Sequence, residues 1–279
     1  MPPQRSSDIA RVQTGSALGR PGSLTQESQR DVTIYAAPGF EEKAREIFVK
    51  TGIPWKDQAG AASQDELRLI LDERGLALTD GRLELLGDFS ALGKRLHPAN
   101  IAHELLVKAV KIRGMERPLR VVDAAAGLGE DSMILACAGF QVQLFERNPV
   151  IGALLADAIE RALGDPDLAL PASRMKLTIG DSIGHMAEFR PDVVYLDPMF
   201  PKRKKSGLVG KKFQLLQLLE SPCSDEEDLL EAALLAKPAR IVIKRPLKGP
   251  YLGQAKPSYS LKGKAVRYDC ILLPVNVRP

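Results

Sequence analysis

From residue 119 onward the chain alternates short apolar runs with stretches of helical spacing, and that alternation leaves few folds open. The runs "LRVVD", "QVQLFE", "MKLTI", "DVVYLD" and "ARIVIKR" read as strands, and the stretches near 131–138, 150–163 and 225–236 read as helices between them. Strands separated by helices pair in parallel, with helices on both faces of the sheet, so the expected class is α/β. The last run, "AVRYDCILLP", has no helix after it and is expected to return antiparallel beside its neighbours. An open parallel sheet binds ligands beyond the carboxyl ends of its strands, near the point where the strand order reverses. The residues that end each strand are therefore the ones to inspect.

Ahead of this region the organisation differs. Residues 1–30 are rich in Ser, Gly, Gln and Arg and lack sustained periodicity, which predicts a tail that buries too little surface to order itself. Residues 31–96 hold a strand candidate, a turn at Pro38-Gly39, a helical pattern through Ala44, Ile47 and Phe48, and alternating runs broken by Glu-Arg-Gly and Thr-Asp-Gly. They predict a small α+β domain with hairpins. A helix over 99–113 is expected to lead into the larger domain, residues 97–279.

Composition narrows the functions. The net charge is only +4, so affinity for a polyanion has to come from local clustering. Cys137, Cys223 and Cys270 show no CxxC spacing, and His97, His103 and His185 form no helical metal pair, so no metal site is expected. The absence of a long apolar run or signal-peptide core predicts a cytoplasmic protein that does not enter membranes. Nothing in the sequence calls for an obligate protein partner.

Four strand ends carry the chemistry. At "VVDAAAGLGEDS", Asp123 ends a strand, and Gly127 and Gly129 allow a tight turn and close approach of a ligand to the backbone. Ser132 stands where the dinucleotide fingerprint GxGxxG needs its third glycine, which disfavours a nicotinamide or flavin enzyme. At "LFERNP", Glu146 suits the two hydroxyls of a ribose, and Arg147 either packs across an adenine or is solvated. At "TIGDS", Asp181 and Ser182 suit an adenine edge or, equally, a helix cap. At "VVYLDPMFP", Asp197 and the Pro198 carbonyl are acceptors set by a rigid turn, and Phe200 can stack on a base. An exocyclic amine on a nucleobase is a poor nucleophile because its lone pair is delocalised; two acceptors on the NH2 group favour the geometry in which it attacks. Together the four ends describe a site for S-adenosylmethionine beside an amino group.

The order "VVDAAAGLGED", "FERNPV" and "VVYLDPMFPKRKKSGLVGKK", with "VIKRP" and "VRYDCI", resembles the RsmJ family of class I methyltransferases, which act on the N2 amine of a guanine in bacterial 16S ribosomal RNA. The match runs from about Gly87 to Leu273. The resemblance implies a Rossmann-like seven-stranded mixed sheet with a smaller N-terminal domain, S-adenosylmethionine as cofactor and 16S rRNA or the small ribosomal subunit as partner. It also implies a donor pocket lined by Glu130, Asp131, Glu146, Arg147, Asp181, Ser182 and Asp197. The segment "GKRLHPANIAHE" departs from the basic glycine-rich stretch of relatives, and residues 1–30 have no counterpart.

After the Asp-Pro turn comes a basic run, Lys202, Arg203, Lys204 and Lys205, then Lys211 and Lys212, with no acid among them. Beside a catalytic turn it suits RNA phosphates, and Lys244 and Arg245 of "IVIKRP" are expected to extend the track. Two other readings stay open on the residues alone: an adenine-N6 nucleic-acid methyltransferase, and a noncatalytic RNA-binding assembly factor.

Overall fold

The computed structural model describes residues 32–57, 66–198, 211–219 and 225–274. The expectations for residues 1–30, for Phe200 and for Lys202, Arg203, Lys204 and Lys205 lie outside them; Lys211 and Lys212 are described by their helical backbone alone.

The N-terminal elements are β1 (Ile34–Ala36), α1 (Glu41–Thr51), β2 (Trp55–Asp57), β3 (Arg68–Asp72), β4 (Gly75–Thr79) and β5 (Glu84–Leu86). Their sheet has the order β2-β1-β3-β4-β5. β1 runs parallel to both its neighbours, whereas β3, β4 and β5 form the antiparallel hairpins expected from the two glycine breaks. The spacing over 99–113 predicts one helix; the chain makes two, α2 (Pro98–Ile101) and α3 (Leu105–Val110), because Glu104 at ψ 128° leaves the helical region between them.

The larger region continues with β6 (Arg120–Asp123), α4 (Glu130–Cys137), β7 (Gln141–Glu146), α5 (Pro149–Leu163), α6 (Ala169–Ala172), β8 (Met175–Ile179), β9 (Val193–Leu196), α7 (Lys211–Leu216), α8 (Glu226–Leu235), β10 (Arg240–Pro246), β11 (Tyr259–Lys262) and β12 (Val266–Leu272). Seven strands form a mixed sheet in the order β11-β12-β10-β9-β6-β7-β8. β10, β9, β6, β7 and β8 are parallel, and β12 returns antiparallel to β10 as its sequence position predicts. The central strands read as unbroken apolar runs because both faces are covered: Val121, Val122, Val193, Val194, Tyr195 and Leu196 are at most 1% exposed.

α5 joins the two sheets. Asn148 caps it by accepting from the amides of Val150 and Ile151, and Pro149 takes the first helical position, where no amide is needed. Its apolar side packs Val150, Ile151 and Leu154 into one core with Ile34, Leu69, Leu71, Leu76 and Leu78 of the smaller sheet. Asp157, buried in the middle of α5, accepts from the Leu76 amide at 3.0 Å, Lys43 Nζ at 2.8 Å and Arg161 Nε at 2.9 Å. A buried carboxylate is tolerable only with such partners, and here they fasten α1 and β4 to the large sheet.

Chain order along the large sheet runs outward from β6 through β7 to β8, then jumps back to β9 on the other side of β6. The crevice beyond the carboxyl ends of β6 and β9 is therefore the switch point; Asp123 ends β6 at its floor and Asp197 follows β9.

Candidate active site

At the end of β6 the glycine turn is held by the strands on either side. Ala124 N–H donates to the Tyr195 carbonyl of β9 at 3.1 Å, and Ala126 N–H donates to the Phe145 carbonyl of β7 at 2.9 Å. Gly127 N–H donates to Glu146 Oε2 at 2.9 Å, while Glu146 Oε1 accepts from Asn148 N–H at 2.8 Å. Gly127 and Gly129 both adopt positive φ, 55° and 73°. A Cβ on Gly129 would stand 2.5 Å from Leu155 Cδ1 and would push that side chain aside; around Gly127 nothing lies within 4 Å of the same point. That open side of the turn, next to the acid ending β7, fits a nucleoside-bearing cofactor laid against the backbone.

Asp123 is buried at the base of the turn and accepts from Ser132 Oγ at 2.6 Å. Burial pushes its carboxyl up to about 7, with the Ser132 hydrogen bond opposing and the charges of Asp131 and Asp197 adding to the rise. At the third strand end, Asp181 Oδ1 accepts from the Ile183 amide at 3.1 Å, and Ser182 is 3% exposed. Arg147 is half exposed and ion-paired with Asp225 at 2.7 Å. Glu130 and Asp131 open α4 on the far side of the glycine turn.

Register brings the fourth strand end together with a residue from the next strand. Leu196 of β9 is opposite Ile243 of β10, so Asp197 and Lys244 follow side by side. Lys244 Nζ donates to Asp197 Oδ2 at 2.8 Å and to Asp131 Oδ2 at 2.7 Å. Tyr195, buried two residues before Asp197, donates its hydroxyl to the same Asp131 oxygen at 2.6 Å. Oδ1 of Asp131 and Oδ1 of Asp197 thus have no partner among the described residues, and Asp197 remains about one-third exposed. Burial pushes the Asp197 carboxyl up, with Lys244 opposing and Asp131 reinforcing the rise. Burial pulls the Lys244 ammonium down, but Asp197 and Asp131 outweigh it and hold it above its ordinary range. Burial and the Asp131 charge keep the Tyr195 phenol protonated, as its role as donor requires.

Two expectations need correction. Lys244 does not extend a phosphate track: it is committed to two carboxylates inside the crevice. Arg245, on the opposite face of β10, has a side chain 1% exposed that donates to the Pro250 carbonyl at 2.8 Å and lies 3.8 Å from Glu226; no phosphate can reach it. Tyr195 is the residue of this cluster that sequence reasoning misses, and Lys244 is one it assigns to the wrong partner; the signal for Tyr195 is a polar side chain inside the otherwise apolar strand that ends in the Asp-Pro turn.

A cation bridging two carboxylates, one opening α4 beside the glycine turn and one at the Asp-Pro turn, leaves an acceptor oxygen on each and a net negative charge. Such a group can receive an amine and stabilise positive charge developing on its nitrogen. Among the described residues no cluster of three or more His, Cys, Asp or Glu is arranged to hold a metal ion, and no helix is long and apolar enough to cross a membrane.

Comparison with known proteins gives a consistent result. The family described as "Putative SAM-dependent methyltransferase" matches residues 56–273. The chain is 50% identical over 239 residues, 82% of this chain and 90% of the relative, to a ribosomal RNA small subunit methyltransferase J of Pseudomonas paraeruginosa. It is 41% identical over 245 residues, 84% of this chain and 94% of the relative, to the protein of that name in Thioalkalivibrio sulfidiphilus. A crystal structure of a SAM-dependent methyltransferase from Neisseria gonorrhoeae superposes with a TM-score of 0.68 at 30% identity, covering 86% of this chain and 95% of that one.

Proposed function

Because this chain belongs to the ribosomal RNA small subunit methyltransferase J family of S-adenosylmethionine-dependent enzymes, we propose that the amine received at Asp197 is the N2 amine of a guanine in 16S rRNA. The observation that carries the reading is the divided use of one carboxylate: Lys244 holds Oδ2 of Asp197, and Oδ1 is left for a donor.

The residues suited to hold S-adenosylmethionine are Asp123, Gly127, Gly129, Glu130, Asp131, Glu146, Arg147, Asp181 and Ser182, with Asp197 at the border of donor and acceptor. When bound, it supplies an electrophilic methyl group on a sulfonium. Asp197 Oδ1 and the Pro198 carbonyl accept hydrogen bonds from the guanine NH2 and draw the nitrogen lone pair out of the ring. Lys244 fixes the Asp197 rotamer by gripping its other oxygen, and neutralises the repulsion between Asp197 and Asp131. As the nitrogen–methyl bond forms and positive charge grows on nitrogen, the remaining negative charge of this triad stabilises it. The excess amine proton then leaves to Asp197, whose raised carboxyl accepts it more readily than an ordinary aspartate, or to water. Phe200 is the proposed stacking partner of the base. Lys202, Arg203, Lys204, Lys205, Lys211 and Lys212 are the proposed phosphate contacts beside it, with the target base unpaired or flipped out to reach the turn.

Replacing the target guanosine by inosine deletes the N2 amine and nothing else. Transfer to the inosine substrate is expected to be lost while RNA binding persists; methylation of the inosine-bearing site at the guanosine rate would refute N2 as the acceptor.

A further inference from the structure

A second concentration of positive charge lies at the other end of the large sheet. A groove of about 450 Å³ opens between α3 and the first residues of β10 and β11, lined by Lys108, Lys111, Arg113, Arg240 and Tyr259, with Leu105 and Leu261 beneath them. Among the described residues no carboxylate lines it. Exposed arginines nearby are neutralised, Arg95 by Glu104 at 2.9 Å and Arg117 by Asp192 at 2.7 Å, yet Lys108, Lys111 and Arg113 make no ion pair with any described residue. In a chain with a net charge of only +4, three exposed unpaired cations in one groove are a local excess.

Arg240 builds the groove. Its Nη1 donates to the Ala109 and Lys111 carbonyls at 2.6 and 3.1 Å, satisfying the end of α3, where backbone acceptors lack helical partners. Its guanidinium lies 5.8 Å from the Tyr259 ring centroid, and its Nε is buried without a partner among the described residues. The loop bearing Lys111 and Arg113 is thereby pinned beside a part-exposed aromatic ring.

Resting on the RNA reading above, we propose that this groove is a second docking site for the RNA sugar-phosphate backbone, with Lys108, Lys111 and Arg113 on phosphates and Tyr259 beside a base. Cations that track a backbone, interleaved with an aromatic ring, are the recurring chemistry of single-stranded nucleic-acid binding. Arg240 and Lys244 lie on one face of β10 four residues apart, about 13 Å of strand. The groove therefore holds nucleotides other than the target, and its loss affects capture of the substrate and leaves the chemical step alone.

The test is the full-length Lys108→Ala/Lys111→Ala/Arg113→Ala variant, whose substitutions are all exposed. Its binding to a fluorescein-labelled single-stranded RNA is followed against potassium chloride concentration, with methyl transfer to small subunits lacking the modification measured alongside. The slope of log affinity against log salt is expected to fall by roughly 2, about 0.7 per lost contact. KM for the subunit is expected to rise about tenfold with kcat and S-adenosylmethionine affinity unchanged. An unchanged slope and KM would overturn the proposal. So would weaker binding to subunits with free RNA unaffected, which would assign the groove to a ribosomal protein. If the wild type transfers no methyl group to RNA, the functional reading fails, but the salt slope still decides the groove.

Discussion

Lys244 Nζ lies 2.8 Å from Asp197 Oδ2, a contact set by the parallel register of β10 on β9 and made just past the carboxyl end of β9. Lys244 thus holds one oxygen of Asp197 and leaves the other, Oδ1, for the amine proposed above.

Asp197→Ala removes the acceptor proposed for the target amine. The expected loss in kcat is about 10²–10³-fold. Affinity for S-adenosylmethionine by calorimetry should change little, because Lys244 retains Asp131 as its partner. A donor affinity lost in step with kcat would move Asp197 into the donor pocket.

Lys244→Met leaves Asp131 and Asp197 facing each other without a cation. Charge-assisted hydrogen bonds of this kind are worth about 2 kcal/mol each, so denaturant unfolding should register a loss of that order. The pH profile of kcat should also shift upward, since Lys244 is the group that opposes the rise of Asp197. An unmoved profile would reduce Lys244 to a packing residue.

How much of this was legible follows from what each signal depends on. β6, β7, β8, β9 and β10 could be read because their apolar runs are local, and Asp123, Glu146 and Asp197 could be found because strand ends follow from strands. β11, "YSLK", is not legible: its alternation lasts only four residues, and it exists through its pairing with β12. Lys244 and Arg245 were read as exposed charge because adjacent basic residues look alike in sequence; only the register and the pleat send one into the crevice and the other under α8. The break at Glu104 is likewise invisible to a periodicity that continues across it.

Gly129→Ala and Gly127→Ala should separate packing from ligand approach. The first drives a Cβ to 2.5 Å from Leu155 at φ 73°, so thermal unfolding should show a loss of about 1–3 kcal/mol. The second meets open space, so its fold should suffer only the left-handed backbone cost of about 1–2 kcal/mol while donor affinity falls. Donor binding untouched in Gly127→Ala would place the cofactor away from this turn.

Asp123 makes stability depend on pH with a defined sign. Its carboxyl is raised to about 7 in the fold, from about 3.9 in the unfolded chain. Between these values the folded state holds the extra proton, so stability falls as pH rises through the window and levels off above about 7. Asp123→Asn stays neutral and keeps an acceptor for Ser132. Its melting temperature should match the wild type near pH 4 and exceed it at pH 8; equal melting temperatures at both would contradict the assignment.

The central claim is tested most directly by the identity of the methylated nucleoside. Small-subunit RNA lacking the modification is incubated with labelled S-adenosylmethionine and either wild type or Asp197→Ala, digested, and resolved by mass spectrometry. The account predicts N2-methylguanosine from the wild type and nearly none from the variant. N6-methyladenosine, or N2-methylguanosine formed equally by both proteins, would contradict it.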